Sequence, residues 1–149
     1  MRQVVRRIDP GLSYYGPIVD VLLDAPPAAR EAMTAAGKDA AGPVGLKALV
    51  DTGASCCGLR EGVAAQLGLE PVGKKDVLRG GSLRCSNRDE YHLVLSISDD
   101  AAHVVFREEI VLIEDQIGTK DYQMLIGRDV LDQAIFVYHG PRKTFTLSF

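Results

Sequence analysis

The sequence predicts a mainly β fold built as a single domain, residues 1–149, and three observations carry that prediction. Runs of β-branched and apolar residues bounded by Gly, Pro and Asp recur along the chain. Two stretches alternate apolar and polar residues with the period of two expected of a half-buried strand. Only two short segments carry a helical pattern. With 149 residues, 46% hydrophobic and 25% charged, the chain can bury roughly two-thirds of the surface its unfolded form exposes, so it needs neither a disulfide nor a metal to fold.

Taken in order, the first strand signal is 17–23, PIVDVLL. The stretch 25–42, APPAAREAMTAAGKDAAG, is rich in Ala, Pro and Gly and lies between two strand signals. It reads as a long surface insertion with a helical turn around 29–35, not as a domain boundary. A second strand follows at 44–50, VGLKALV, and a short helix at 61–67, EGVAAQL, which Gly68 closes as a C-cap. Tyr91, Leu93, Leu95 and Ile97 alternate with His92, Val94 and Ser96, and a longer apolar run occupies 104–113. The second helix is 128–133, RDVLDQ, and 134–149 forms a hairpin turning at HGPRK, with Phe145, Leu147 and Phe149 on one face. Most strand pairs should be antiparallel. No tandem repeat is present.

Composition narrows the partners. A net charge of -3 provides no electrostatic footprint for nucleic acid, and the basic run RRIDP, Arg6 to Pro10, is too short to argue for a polyanion. No apolar run approaches membrane-spanning length, and residues 1–10 lack the apolar centre of a secretory signal. The three cysteines, Cys56, Cys57 and Cys85, are an odd set without C-x-x-C spacing, which suits reduced thiols in a cytoplasmic protein.

One carboxylate stands out. In ALVDTGAS, Asp51 follows an apolar strand and precedes a glycine, so the turn aims its side chain outward from a strand end while Gly53 allows close backbone approach. Thr52 and Ser55 add hydroxyls that donate and accept. An Asp satisfied within its own turn is an equal reading of these residues alone. About seventy residues further on, QMLIGRDVL again runs an apolar strand into a glycine and a short helix. By itself that segment reads as core packing.

Together, ALVDTGAS followed by MLIGRDVL resembles the retropepsin family, the aspartic proteases of retroviral type, in its bacterial-type form. The residues that carry the resemblance are Leu49, Val50, Asp51, Thr52, Gly53, Ala54 and Ser55, then Leu125, Ile126, Gly127 and Arg128. It extends over roughly residues 17–149 and implies a closed β-barrel-like fold. It also implies an endopeptidase that hydrolyses extended polypeptides with no cofactor and no metal, in which Asp51 is the catalytic carboxylate. Activating water and protonating the leaving amide takes two carboxylates that share one proton about 3 Å apart. No second D-[ST]-G occurs in the sequence, so the second Asp51 must come from another copy in a symmetric homodimer. By the same resemblance Thr52 bonds across the two-fold axis and Gly53 steadies the carboxylates. Ala54 and Ser55 line the substrate strand. A flap over it falls on 77–86, VLRGGSLRCS, with Gly80 and Gly81 at its tip, although a Gly-Gly pair also serves a plain hairpin turn.

Two departures accompany the resemblance. Many retropepsins carry an acid at the position of Ser55 that pairs with the arginine of the second motif, so Arg128 needs another partner. The terminal hairpin is longer than the single strand of the viral enzymes, so the viral arrangement of the dimer sheet does not carry over directly. Cys56, Cys57, Cys85 and His92 fit no common zinc spacing, and a Cys/His nucleophile has only residue type in its favour. His103 and His139 read as surface residues, and the pairs Asp99–Asp100 and Glu108–Glu109 as solvated. The rival function is a dimeric, non-catalytic retropepsin-like module that binds peptides or supports assembly.

Overall fold

The computed structural model describes residues 1–8, 11–78 and 85–149, and all but the side chain of Cys85 within them. Among the described residues ten strands form two sheets, accompanied by four α-helices. β1 (Gln3–Arg7), β10 (Thr144–Ser148) and β9 (Ile135–His139) make a three-stranded sheet in the order β1-β10-β9. The larger sheet runs β2 (Ile18–Asp24), β3 (Val44–Val50), β8 (Met124–Ile126), β4 (Gly58–Arg60), β7 (Val104–Asp115), β6 (Cys85–Ser98) and β5 (Gly73–Leu78). Because β2 also pairs with β6, the six strands β2-β3-β8-β4-β7-β6 close into a barrel, and β5 is left as an outer strand on β6. Closure removes exposed edges from those six strands. The fold is thus the mainly β, closed-barrel class that the resemblance implies.

Alternation explains the packing. In β2, Val19, Val21 and Leu23 are buried while Asp20 and Leu22 face outward. Across the closing seam Val21 stands opposite Ile97 and Leu23 opposite Leu95, so both strands send the same row inward. On the other face of β6, Val94 and Ser96 are buried as well, where strict alternation puts them in solvent. Both lie in the part of β6 flanked by β2 on one side and β7 on the other, and Val94 is paired to Asp24 where the chain enters the insertion. Val4, Phe145 and Leu147 from the small sheet join the barrel residues in one apolar cluster.

The two helices that the pattern marks are α3 (Val63–Gln66) and α4 (Arg128–Leu131), each a single turn. Two others accompany them: α1 (Leu12–Tyr15) and α2 (Pro27–Ala35). α2 starts with Pro at its first position, where the missing N–H costs nothing, and continues through Ala-rich sequence. It has no buried residue. It is anchored instead by the buried Ala25 just before it, by the Arg30–Asp24 ion pair, and by Met33 against Gly68. The terminal hairpin forms as read, turning through a 3-10 segment at Gly140–Arg142.

Most pairings are antiparallel. The two parallel pairs, β3 with β8 and β4 with β7, fall on either side of the segment that carries Asp51. β8 lies between β3 and β4. The connection 51–57 must therefore cross over the end of β8 to deliver the chain from one neighbour to the other.

Candidate active site

The parallel register Ala48–Met124, Leu49–Leu125, Val50–Ile126 places the ends of both motifs side by side. Asp51 and Gly127 occupy the next rung, and there the strands diverge, one into the crossing loop and the other into α4. The N–H of Asp51 donates to the Ile126 carbonyl at 2.9 Å. At Gly127 the crossing chain passes so closely that an added Cβ would lie 2.4 Å from the carbonyl carbon of Cys56. A glycine here is a steric requirement of the crossing, not a matter of backbone freedom.

Within the loop, the Gly53 N–H donates to Asp51 Oδ1 at 2.9 Å and the Ala54 N–H to the Asp51 carbonyl at 3.2 Å. A Cβ on Gly53 would stand 3.0 Å from that same Oδ1, tighter than ordinary packing allows. Gly53 therefore steadies the carboxylate from within its own chain. Asp51 is half-buried, whereas Thr52, Gly53 and Ser55 are exposed and Ala54 is half-buried. Among the described residues neither Asp51 Oδ2 nor the Thr52 hydroxyl has a hydrogen-bond partner.

Arg128 has found its partner. With Ser55 in the position where a carboxylate is expected, its Nη1 donates to the Thr52 carbonyl at 2.8 Å, and its own N–H donates to the Ala54 carbonyl at 2.9 Å. One residue of the second motif thus braces two of the first.

A further contact escapes inspection of the sequence. Asp129, in the first turn of α4, accepts from the Cys57 N–H at 2.9 Å and from its Sγ at 3.2 Å. The signal was an acidic side chain at the start of a helix, where it satisfies free N–H groups; here it also accepts from Val130 at 3.0 Å. Cys57 is fully buried, and burial, reinforced by the Asp129 carboxylate, pushes its thiol well above the ordinary range. It remains a neutral S–H and is no nucleophile.

Gly80 and Gly81, the expected flap tip, lie outside the described residues. The arms that lead to them, β5 and the first part of β6, pair from Gly73–Glu90 to Leu78–Cys85. Of the set-aside ligands, His92 pairs with Glu109 on β7 at 2.9 Å and Cys57 with Asp129. Among the described residues no cluster of three or more His, Cys, Asp or Glu is placed to hold a metal ion. His103 caps a turn with Asp99, which accepts its N–H at 2.8 Å. Arg6, from the short basic run, is taken up by Asp20 and Asp100. No helix is long and apolar enough to cross a membrane among the described residues.

No protein-family model matches the chain, and no curated protein does. Among solved structures it is similar to the retroviral protease-like domain of Ddi1 from Leishmania major, at 15% identity and a TM-score of 0.41, over 89% of this chain and 93% of that one. The strand order and the adjoining motifs, not that likeness, carry the functional reading below.

Proposed function

We propose that this chain is an aspartic-type endopeptidase of retropepsin type that works as a symmetric homodimer, with one Asp51 from each copy. The observation that carries the reading is the loop crossing. Two motifs far apart in sequence meet at the ends of adjacent parallel strands, and the second holds the first through Ile126 and Arg128. One oxygen of Asp51 is fixed by Gly53 and the other is left without a partner among the described residues.

In the dimer the two carboxylates approach until they share one proton, because like charges at about 3 Å cannot both ionise. The ionised partner takes a proton from water, which attacks the scissile carbonyl. The protonated partner hydrogen-bonds that carbonyl and then supplies a proton to the leaving amine. No acyl-enzyme forms, since water is the attacking group, and no cofactor is used. The free Thr52 hydroxyl is available to bond across the axis. The substrate is an extended peptide or protein segment lying beside Ala54 and Ser55.

The small sheet supports the assembly. Val5, Thr146 and Val137 share one row, and Ile135 lies on the same face two positions from Val137. Val5, Ile135 and Val137 are 50%, 55% and 48% exposed, and among the described residues β9 has no second strand partner. β9 also follows directly after α4, so a copy docked there would lie close to the Asp51 loop. Cys56 and Cys57 are both free thiols, which supports a cytoplasmic setting. Ser55, lacking the acid that would grip the substrate main chain, favours the second reading: a dimeric peptide-binding module with little turnover.

A peptide library incubated between acidic and neutral pH with the protein or its Asp51→Asn variant separates these readings. New termini produced only by the unaltered protein support the endopeptidase. Equal cleavage by both removes Asp51 from the mechanism, and binding without cleavage favours the module.

A further inference from the structure

The geometry points to Asp129 and Cys57 as a positioning pair that fixes the far end of the crossing loop and so sets where Asp51 stands, an inference that rests on Asp51 being the catalytic carboxylate. The loop is tied at three places. Its start is held by the Asp51 N–H on Ile126, its middle by Arg128 on Thr52 and Ala54, and its end by Asp129 on Cys57, whose carbonyl also accepts the Ile113 N–H at 3.3 Å. The first two hold the loop on both sides of Gly53 through single bonds to its backbone atoms. The third grips one residue by two atoms: the Cys57 N–H donates to Oδ2 and the thiol to Oδ1, while Sγ itself accepts the Gly127 N–H at 3.4 Å.

That thiol therefore links the two motifs in both directions, as donor to α4 and as acceptor from the residue before it. Only a neutral S–H can do both, and full burial keeps it neutral. Asp129 is suited to the other half of the pair. Its carboxylate has no donor of its own, so it takes all three bonds offered by Cys57 and Val130. Charge-assisted bonds of this kind are stronger than neutral ones.

Three variants test the pair: Asp129→Ala, Cys57→Ala and Cys57→Ser. Amide hydrogen exchange at Asp51 and Ala54 is compared with that at Leu95 in the barrel core, and kcat and KM are measured on a cleaved peptide. Both alanine variants should speed exchange at Asp51 and Ala54 several-fold while leaving Leu95 unchanged, and should lower kcat about tenfold with a smaller effect on KM. Cys57→Ser, whose hydroxyl donates and accepts in the same place, should restore both readouts. Unchanged loop exchange, an equal acceleration at Leu95, or a serine variant no better than alanine would each overturn the pair. Should Asp129→Ala not fold, Cys57→Ala and Cys57→Ser decide alone. A protein that cleaves no peptide sinks the endopeptidase reading, while the exchange measurements still decide whether the pair holds the loop.

Discussion

Arg128 reaches back 76 positions in the chain to donate from Nη1 to the carbonyl of Thr52 at 2.8 Å. A backbone oxygen thus does here what the resemblance assigns to an acid at position 55. The bond is exposed, so Arg128→Ala should lower stability by about 1 kcal/mol in urea unfolding. Arg128→Lys should recover less than half of that, since an ammonium cannot keep the planar approach of the guanidinium. Full recovery by lysine would mean that only the charge matters.

Gly127 is constrained by the chain that passes over it. Gly127→Ala puts a methyl 2.4 Å from the Cys56 carbonyl carbon, where backbone and not a flexible side chain must yield. The expected loss is about 2–3 kcal/mol by thermal or urea unfolding. Gly42→Ala, with nothing within 4 Å of its new methyl, should stay within about 0.5 kcal/mol of the parent.

The ends of the barrel rows were legible in the sequence because alternation is local: Leu93, Leu95, Ile97, Phe145 and Leu147 all point inward as their spacing requires. The terminal hairpin and both motif turns were legible for the same reason. Barrel closure was implied by the resemblance alone, and which strands close it was not legible. The β2–β6 seam joins residues 70 to 76 positions apart, and nothing in either strand names its partner. β4 is only three residues long, too short for a period to show. Within the candidate site, Asp51, Thr52 and Gly53 were singled out by the resemblance, whereas Asp129 was not, because its contact with Cys57 depends on a loop that crosses overhead.

Acid should act on stability through Asp20. Burial raises the carboxyl, but the Lys47 hydrogen bond and the Arg6 and Lys47 charges outweigh it and leave it below its ordinary value. A folded-state value below the unfolded one means that the stabilisation is present above the unfolded value and is lost as pH falls through the folded one. Melting temperature should therefore decline through the acidic range below the usual carboxylate titration. Asp20→Asn should flatten part of that decline and cost about 0.5 kcal/mol at neutral pH, the scale of an exposed pair. An unaltered acid limb in the variant would remove Asp20 from the effect.

The outer face of the small sheet gives a separate test of assembly. Val137→Glu places a charge among Val5 and Ile135 on that face, away from the buried row of Phe145 and Leu147. Sedimentation should show a dimer for the parent at micromolar concentration and at least about tenfold weaker association for the variant, with melting of the subunit little changed. A variant that associates as tightly as the parent would move the interface elsewhere.

Titrating the protein against its Asp51→Asn variant at constant total concentration, with peptide cleavage as the readout, addresses the shared site itself. If each active centre draws one carboxylate from either copy, activity falls as the square of the unaltered fraction, to about one quarter in an equal mixture. A fall to one half would mean that a single chain is catalytically complete, and the account of paired Asp51 side chains would be wrong.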